Sequence, residues 1–498
     1  MSSLRTRLRL PRLLPAVPVR LLALCVALVV LGWSGSAAAG PEINIPRAED
    51  GPGLKVGQRS TFHPGFALVS GVDTNVFSEA SEEDPNAAAF IMPTGWVGIG
   101  NRQFRDGLLM TPPERTGRNL DYYIGGILGF RQYLARNRNI LGQSRISGGL
   151  QMRLAFLPGR RFSVNFDEDF FRYAQPPSYE AQPQYNFNRV DHKGQLTFIG
   201  RPGGGRFGIQ VGLRNQVLAF ENRTADRFLA RGNRTVNGFI TELKWRFLPK
   251  SAIFFSYGMD WTYYFSCCAD VGSARNEDNF AHRIVGGFRG QVLKKVMLDA
   301  VAGYGLGYYR DDANGPNFSS FIGELSLTYF PSPRGMINVG LYRSFQDSLL
   351  GNYFTDLGAR VQGRYEFKWR MIGTLGAWVA GRRYAGLPVP GLEDDCGQVG
   401  TGSNGLPQRA CTVGYRGRGA DLFQRRDTIF NLNVKVEQPI KRLWSVALQY
   451  DLSVDASDFE TIYQVGRFDR DGQPEIVDVT DFAGFTRHVV MVLGAIRI

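Results

Sequence analysis

Residues 252–266, AIFFSYGMDWTYYFS, decide the fold. Ile253, Phe255, Tyr257, Met259, Trp261, Tyr263 and Phe265 recur at every second position, with Ser256, Gly258, Asp260 and Thr262 between them. Successive side chains of a strand point to opposite faces, so this period makes one strand with an apolar side and a wet side. The apolar side is long and ends in aromatics, and similar segments follow one another behind a secretory leader. The combination predicts an all-β chain: a transmembrane antiparallel β-barrel of the bacterial outer membrane.

The leader is residues 1–39. Arg5, Arg7, Arg9, Arg12 and Arg20 form its basic region, LLALCVALVVLGW its apolar core, and Ala37-Ala38-Ala39 a small-residue cleavage site. Cys25 follows the bulky Leu24 rather than a small residue, which argues against a lipoprotein signal. The apolar run is short for a spanning helix, and no later segment reaches the length one needs. The formal net charge of +13 falls to +8 once the leader's five arginines are removed. The remaining Lys and Arg are scattered rather than blocked, so nucleic acid is not an expected partner. Outer-membrane lipids and the barrel-assembly machinery are.

Turns punctuate the alternation. FLPGRR (156–161), RPGGGR (201–206), FLPKS (247–251), FPSPR (330–334) and QPIKR (438–442) are short and join proline to a basic residue. The opposite connections are longer and polar, and two of them, roughly 386–424 and 457–484, are longest. Short periplasmic turns and long extracellular loops are the asymmetry of such barrels. Strands are expected near 63–73, 88–100, 121–134, 144–156, 161–173, 187–200, 207–220, 234–247 and 252–266. The set continues near 280–292, 297–310, 319–330, 335–346, 355–369, 371–384, 426–437, 443–455 and 485–498. The count is about eighteen, within a range of sixteen to eighteen, preceded by a short periplasmic tail over 40–62. The link at 101–120 is long for a periplasmic turn.

Parity assigns the faces. In 355–369, Leu357, Ala359, Val361, Tyr365, Phe367 and Trp369 face lipid, and Arg360, Gln362, Arg364, Glu366 and Lys368 face the lumen. A midplane Arg or Lys on the lipid face would cost about 2–4 kcal/mol, so these charges point inward. Inward bases and acids nearly balance. Arg283, Arg289, Arg360 and Arg364 come from strands near one another and are candidates for a basic, substrate-guiding wall. The other reading is that they brace the barrel by cross-strand pairing. Tyr257, Trp261, Tyr263, Trp369 and Trp444 share the outward parity and read as lipid girdles.

Four cysteines survive cleavage in an oxidising compartment. Cys396 and Cys411 bracket a Gly-rich stretch and are a disulfide candidate closing one loop; Cys267 and Cys268 are vicinal, with no assigned partner. No metal or cofactor motif stands out. The only histidines are His63, His192, His282 and His488, with no nucleophile motif beside them, so the chain does not read as an enzyme. Asp167 and Asp169 share a strand face, and bracing explains them.

The first strand and loop, FHPGFALVSGVDTNVFSEASEEDPN (62–86), carry the turn Gly71-Val72-Asp73-Thr74-Asn75 and then an acidic stretch. This resembles the opening of the outer-membrane porin family associated with exopolysaccharide and capsule export in Gram-negative bacteria. The last strand, HVVMVLGAIRI, resembles a terminal assembly signal, departing from it by ending in Ile498. The family resemblance implies a channel through which a surface polysaccharide crosses the outer membrane. It also implies a separate periplasmic polysaccharide-export protein as partner, because the chain carries no helical-repeat domain. An anionic polymer would then meet the four arginines. The alternative is a porin, general or substrate-specific, for small solutes.

Overall fold

The computed structural model describes residues 52–80, 85–101, 119–173, 188–221, 232–265, 278–310, 317–349, 351–386, 400–401, 407–408, 412–416, 425–457, 459–468 and 474–498. The expected leader, all five cysteines and most of the 101–120 link lie outside these.

Alternation becomes a meander. The wall runs through β1 (Ser60–Asp73), β2 (Ala88–Gly100), β3 (Leu120–Leu134), β4 (Arg145–Phe156), β5 (Phe162–Tyr173) and β6 (Arg189–Gly200). It continues through β7 (Phe207–Phe220), β8 (Arg234–Leu248), β9 (Ser251–Tyr264), β10 (Asn279–Leu293), β11 (Val296–Tyr309) and β12 (Phe318–Ser332). The last six are β13 (Gly335–Asp347), β14 (Tyr353–Glu366), β15 (Ile372–Ala385), β16 (Arg426–Pro439), β17 (Trp444–Ser457) and β18 (Phe485–Arg497). Each pairs antiparallel with the next, and β18 returns to β1 from Gly65↔Arg497 to Asp73↔Val489. The result is a closed barrel of 18 strands, as the alternation and turn spacing predict. Closure removes every edge, the condition for crossing lipid with strands.

Two departures from the expected boundaries have local causes. The tail expected over 40–62 folds back at its end: Leu54–Val56 pairs with Ser60–Phe62, so β1 begins at Ser60. β14 stops at Glu366, and Phe367 to Met371 form a turn closed by the Phe367 amide donating to the Met371 carbonyl (2.8 Å). Lys368 therefore sits in a turn and not on the lumen face.

The outward face is apolar, with Leu128 62 %, Leu150 63 % and Leu357 67 % exposed. Trp261, Tyr263, Trp369 and Trp444 are also exposed there, at the rims where aromatics anchor a barrel. The two longest loops meet beyond the wall: Thr412–Arg416 pairs with Glu460–Phe468, which pairs with Pro474–Phe482.

Candidate functional site: the lumen and its constriction

The barrel is held shut at its seam by the turn motif of the first loop. Asp73 is fully buried and accepts from Arg487 on β18, Nε at 3.0 Å and Nη2 at 2.5 Å. The Asn75 side chain donates to the Thr486 carbonyl (3.1 Å) and the Glu79 carbonyl (2.7 Å), and its Oδ1 accepts from the Glu79 amide. The Thr74 amide donates to the His488 carbonyl (2.9 Å), and the His488 amide donates to Thr74 Oγ1 (3.0 Å). Every member of the Gly-x-Asp-x-Asn turn that carries a polar side chain, Thr74 included, thus joins the first strand to the last. The motif is a clasp.

The interior has two unlike halves. Along β14 to β18 and β1 it is covered: Asp356, Arg382, Arg425, Asp427, Asp455 and Arg487 face inward and are nearly fully buried. Arg382 makes a bidentate pair with Asp356 (2.8 and 2.9 Å) and lies 3.7 Å over Phe354. Arg425, just before β16, reaches Asp427 at 2.7 Å and Asp455 at 3.5 Å. Burial works against its charge, but Asp427, Tyr384 and Asp455 outweigh that and hold the guanidinium above its ordinary range. Phe459, at the base of the 457–484 loop, packs on the inward Phe354 and Tyr384. That loop therefore leans over the lumen.

Along β4 to β14 the interior stays partly open, and there the charges stand in pairs. Arg153 meets Asp169 (2.7 Å), Lys193 meets Asp191 (2.7 Å), Lys244 meets Glu242 (3.0 Å) and Arg289 meets Asp299 (2.7 Å). Asp260 takes Arg214 from one side and Arg283 (2.6 Å) from the other. Arg214 and Asp260 lie two strands apart, with Gly238 between them in register. A Cβ at Gly238 would lie 2.4 Å from Arg214 Nε and 2.5 Å from Asp260 Oδ1, so only glycine lets the pair close across β8.

A hairpin narrows this half. The ladder between β12 and β13 ends at Gly323↔Arg343, although β12 continues up to Phe318 and β13 to Asp347. Above that point β13 stays with β14, as far as Asp347↔Tyr353, while β12 stays with β11. The β13–β14 tip bends into the lumen. Phe345 stacks on Phe318 with centroids 4.0 Å apart, and it covers Gly305, where a Cβ would meet its ring at 2.6 Å. Asp347 accepts from Thr262 Oγ1 (3.0 Å), Asn279 Nδ2 (3.2 Å) and the Tyr309 hydroxyl (3.4 Å), on β9, β10 and β11. The tip thus crosses the inner face of three strands.

The four arginines singled out by sequence all lie on inward-facing positions but do not meet as one wall. Arg283 joins wall to hairpin: it pairs with Asp260, its Nη2 donates to the Phe345 carbonyl (3.4 Å), and its guanidinium lies 4.6 Å from the Phe345 ring centre. Arg289 pairs with Asp299, and Arg360 pairs with Glu324. Arg364, near the periplasmic end of β14, is exposed and makes no ion pair among the described residues. Cys396 and Cys411 lie outside the described residues, as do Cys267 and Cys268. Asp347 and Phe345 escape a reading by parity, because alternation with Leu341 and Val339 puts Phe345 on the lipid side.

No protein-family model matches the chain, and no curated protein matches it. Among solved structures, the chain is similar to OccAB4 of Acinetobacter baumannii at 9 % identity, covering 89 % of this chain and 99 % of that one, with a TM-score of 0.41. It is similar to the outer membrane protein OpdK of Pseudomonas aeruginosa at 9 % identity, covering 88 % and 99 %, with a TM-score of 0.39. The siderophore receptor PirA of the same organism gives 8 % identity, 87 % and 80 % coverage, and a TM-score of 0.37. Likenesses this distant say nothing about what passes the lumen. The closed 18-strand meander with its apolar outer band is a transmembrane β-barrel of the outer-membrane type.

Proposed function

We propose that this barrel is a passive channel for small polar solutes, and not an exporter of polysaccharide. The observation that carries this is the inward β13–β14 hairpin, tied by Asp347 to the inner face of β9, β10 and β11. A lumen narrowed by a docked hairpin suits small solutes better than a continuous polymer. Two further observations favour the same reading. Trp96, Tyr123, Phe318, Phe345, Phe354 and Tyr384 face inward yet are nearly fully buried, so their rings offer no stacking face to a sugar. The turn motif behind the exporter resemblance works in the seam and says nothing about cargo. With the exporter reading goes the need for a dedicated periplasmic partner.

The test is swelling of liposomes that contain the full-length barrel, in solutes of graded size and charge. Swelling that falls off steeply with size supports the channel. Impermeability to every small solute, with loss of one surface polymer on gene deletion, would restore the exporter.

A further inference from the structure

Glu168 faces the lipid side of the wall. Asp167 and Asp169 on either side of it reach the inward Arg153, so Glu168 points out, with Phe166 below it and the exposed Phe170 above. Among the described residues of the wall strands it is the one acid at an outward position. A carboxylate within the apolar band is costly, and such residues turn toward protein rather than lipid. Its neighbours extend the anomaly. His192 on β6 pairs with Glu168 and lies between Val190 and Gly194. Asn215 on β7 lies between the exposed Leu213 below and Val217 above. The register sets Asn215 opposite Gly194 on one side and Asn237 of β8 on the other. A polar stripe thus crosses the outer face of β5 to β8, and on β5 and β7 apolar side chains flank it above and below.

Hydrogen bonds inside the stripe leave a matched remainder. Asn215 Nδ2 donates to Thr235 Oγ1 (2.9 Å) and to Asn237 Oδ1 (2.9 Å), which uses both of its N–H groups. Asn215 Oδ1 and Asn237 Nδ2 then have no partner among the described residues. Acyl chains offer neither a donor nor an acceptor, so both groups stay unsatisfied against lipid. One is an acceptor and the other a donor, which makes the stripe complementary to itself. We propose that the outer face of β5 to β8 is the interface of a homodimer with its two-fold axis along the membrane normal. Asn215 Oδ1 accepts from Asn237 Nδ2 of a second copy, and symmetry supplies the reciprocal bond. The same contact takes the Glu168–His192 pair out of the acyl chains.

The experiment is sedimentation equilibrium of the full-length barrel in a density-matched neutral detergent. The native protein should sediment as two copies. Asn215→Leu with Asn237→Leu should raise the dissociation constant about tenfold, two symmetry-related hydrogen bonds being lost. Ser70→Leu, which removes an exposed polar side chain from the outer face of β1, should leave it unchanged. If the double variant does not fold, judged by its heat-dependent gel shift, Asn215→Leu alone should show a smaller rise. In cells, a benzophenone amino acid at Leu213 should give an adduct of twice the barrel's mass, and one at Val446, exposed on β17, should give none. A single-copy mass for the native barrel, or a dissociation constant unmoved in folded variants, would overturn the proposal. So would an adduct from Leu213 to a different protein, or none at all, which would leave the stripe facing lipid.

Discussion

The docked hairpin should become a moving part when Asp347 is removed. Its carboxylate accepts from Thr262 and Asn279 at 3.0 and 3.2 Å, with a weaker contact to Tyr309 at 3.4 Å. At about 1.5 kcal/mol for each of the two shorter bonds, the lower end for a charged acceptor, they hold roughly 3 kcal/mol. That is about a hundredfold in the equilibrium between docked and detached hairpin. The Phe345–Phe318 stack and the Arg283 contact survive in Asp347→Ala, so the tip returns rather than staying out. In single-channel recordings the variant should show excursions to a higher conductance level about a hundredfold more often than the native barrel. Asp347→Asn, which keeps one acceptor oxygen, should fall between. Variant traces that match native ones, from barrels folded by their heat-dependent gel shift, would refute the hairpin as the constriction.

Other perturbations test the wall. Gly238→Ala should lower the thermal midpoint by several degrees, because its methyl lies 2.4 Å from Arg214 Nε and splits the pair with Asp260; an unchanged melt would mean β8 yields freely. Asp73→Ala strands a nearly buried Arg487 and should cost about 3–5 kcal/mol in urea unfolding. Asp73→Leu with Arg487→Met should recover most of that loss, and no recovery would point to Asn75 as the real clasp. Arg364→Gln should shift the reversal potential in a KCl gradient toward cation preference with no loss of stability, since Arg364 makes no ion pair among the described residues. An unmoved potential would take Arg364 out of the conducting path.

The barrel was legible because its signal is local. A period of two holds wherever a strand crosses lipid, since the membrane penalises each outward charge separately, and all the expected strands appear within a few residues of their places. The lumen was less legible, because its pairs are set by register between strands. Arg214 finds Asp260 two strands away across Gly238, and Asp73 finds Arg487 at the other end of the chain. No spacing in the sequence encodes either meeting. The hairpin was hidden for a further reason. Ile337, Val339 and Leu341 set an outward parity that Phe345 would continue, and only the loss of the β12 ladder above Gly323 turns it inward. The Gly-x-Asp-x-Asn turn was visible as a motif, yet its work at the seam depends on Thr486, Arg487 and His488.

Pairing along the open wall has a consequence for selectivity. A solute passing Arg153–Asp169, Arg283–Asp260 or Arg289–Asp299 meets charges that largely cancel within a few ångströms, so these rows hold water and rigidity without choosing a sign. Choice by size then belongs to the hairpin, near the extracellular end. Choice by charge belongs to cations that make no ion pair among the described residues, of which Arg364 at the periplasmic end is the clearest. The two filters sit at opposite ends of the lumen and should respond separately. Phe345→Ala, which loosens the hairpin without removing a charge, should alter conductance and leave the reversal potential in place, while Arg364→Gln should do the reverse. If either substitution moves both readouts together, size and charge are sorted at one place, and the paired wall between them is not the neutral passage its geometry describes.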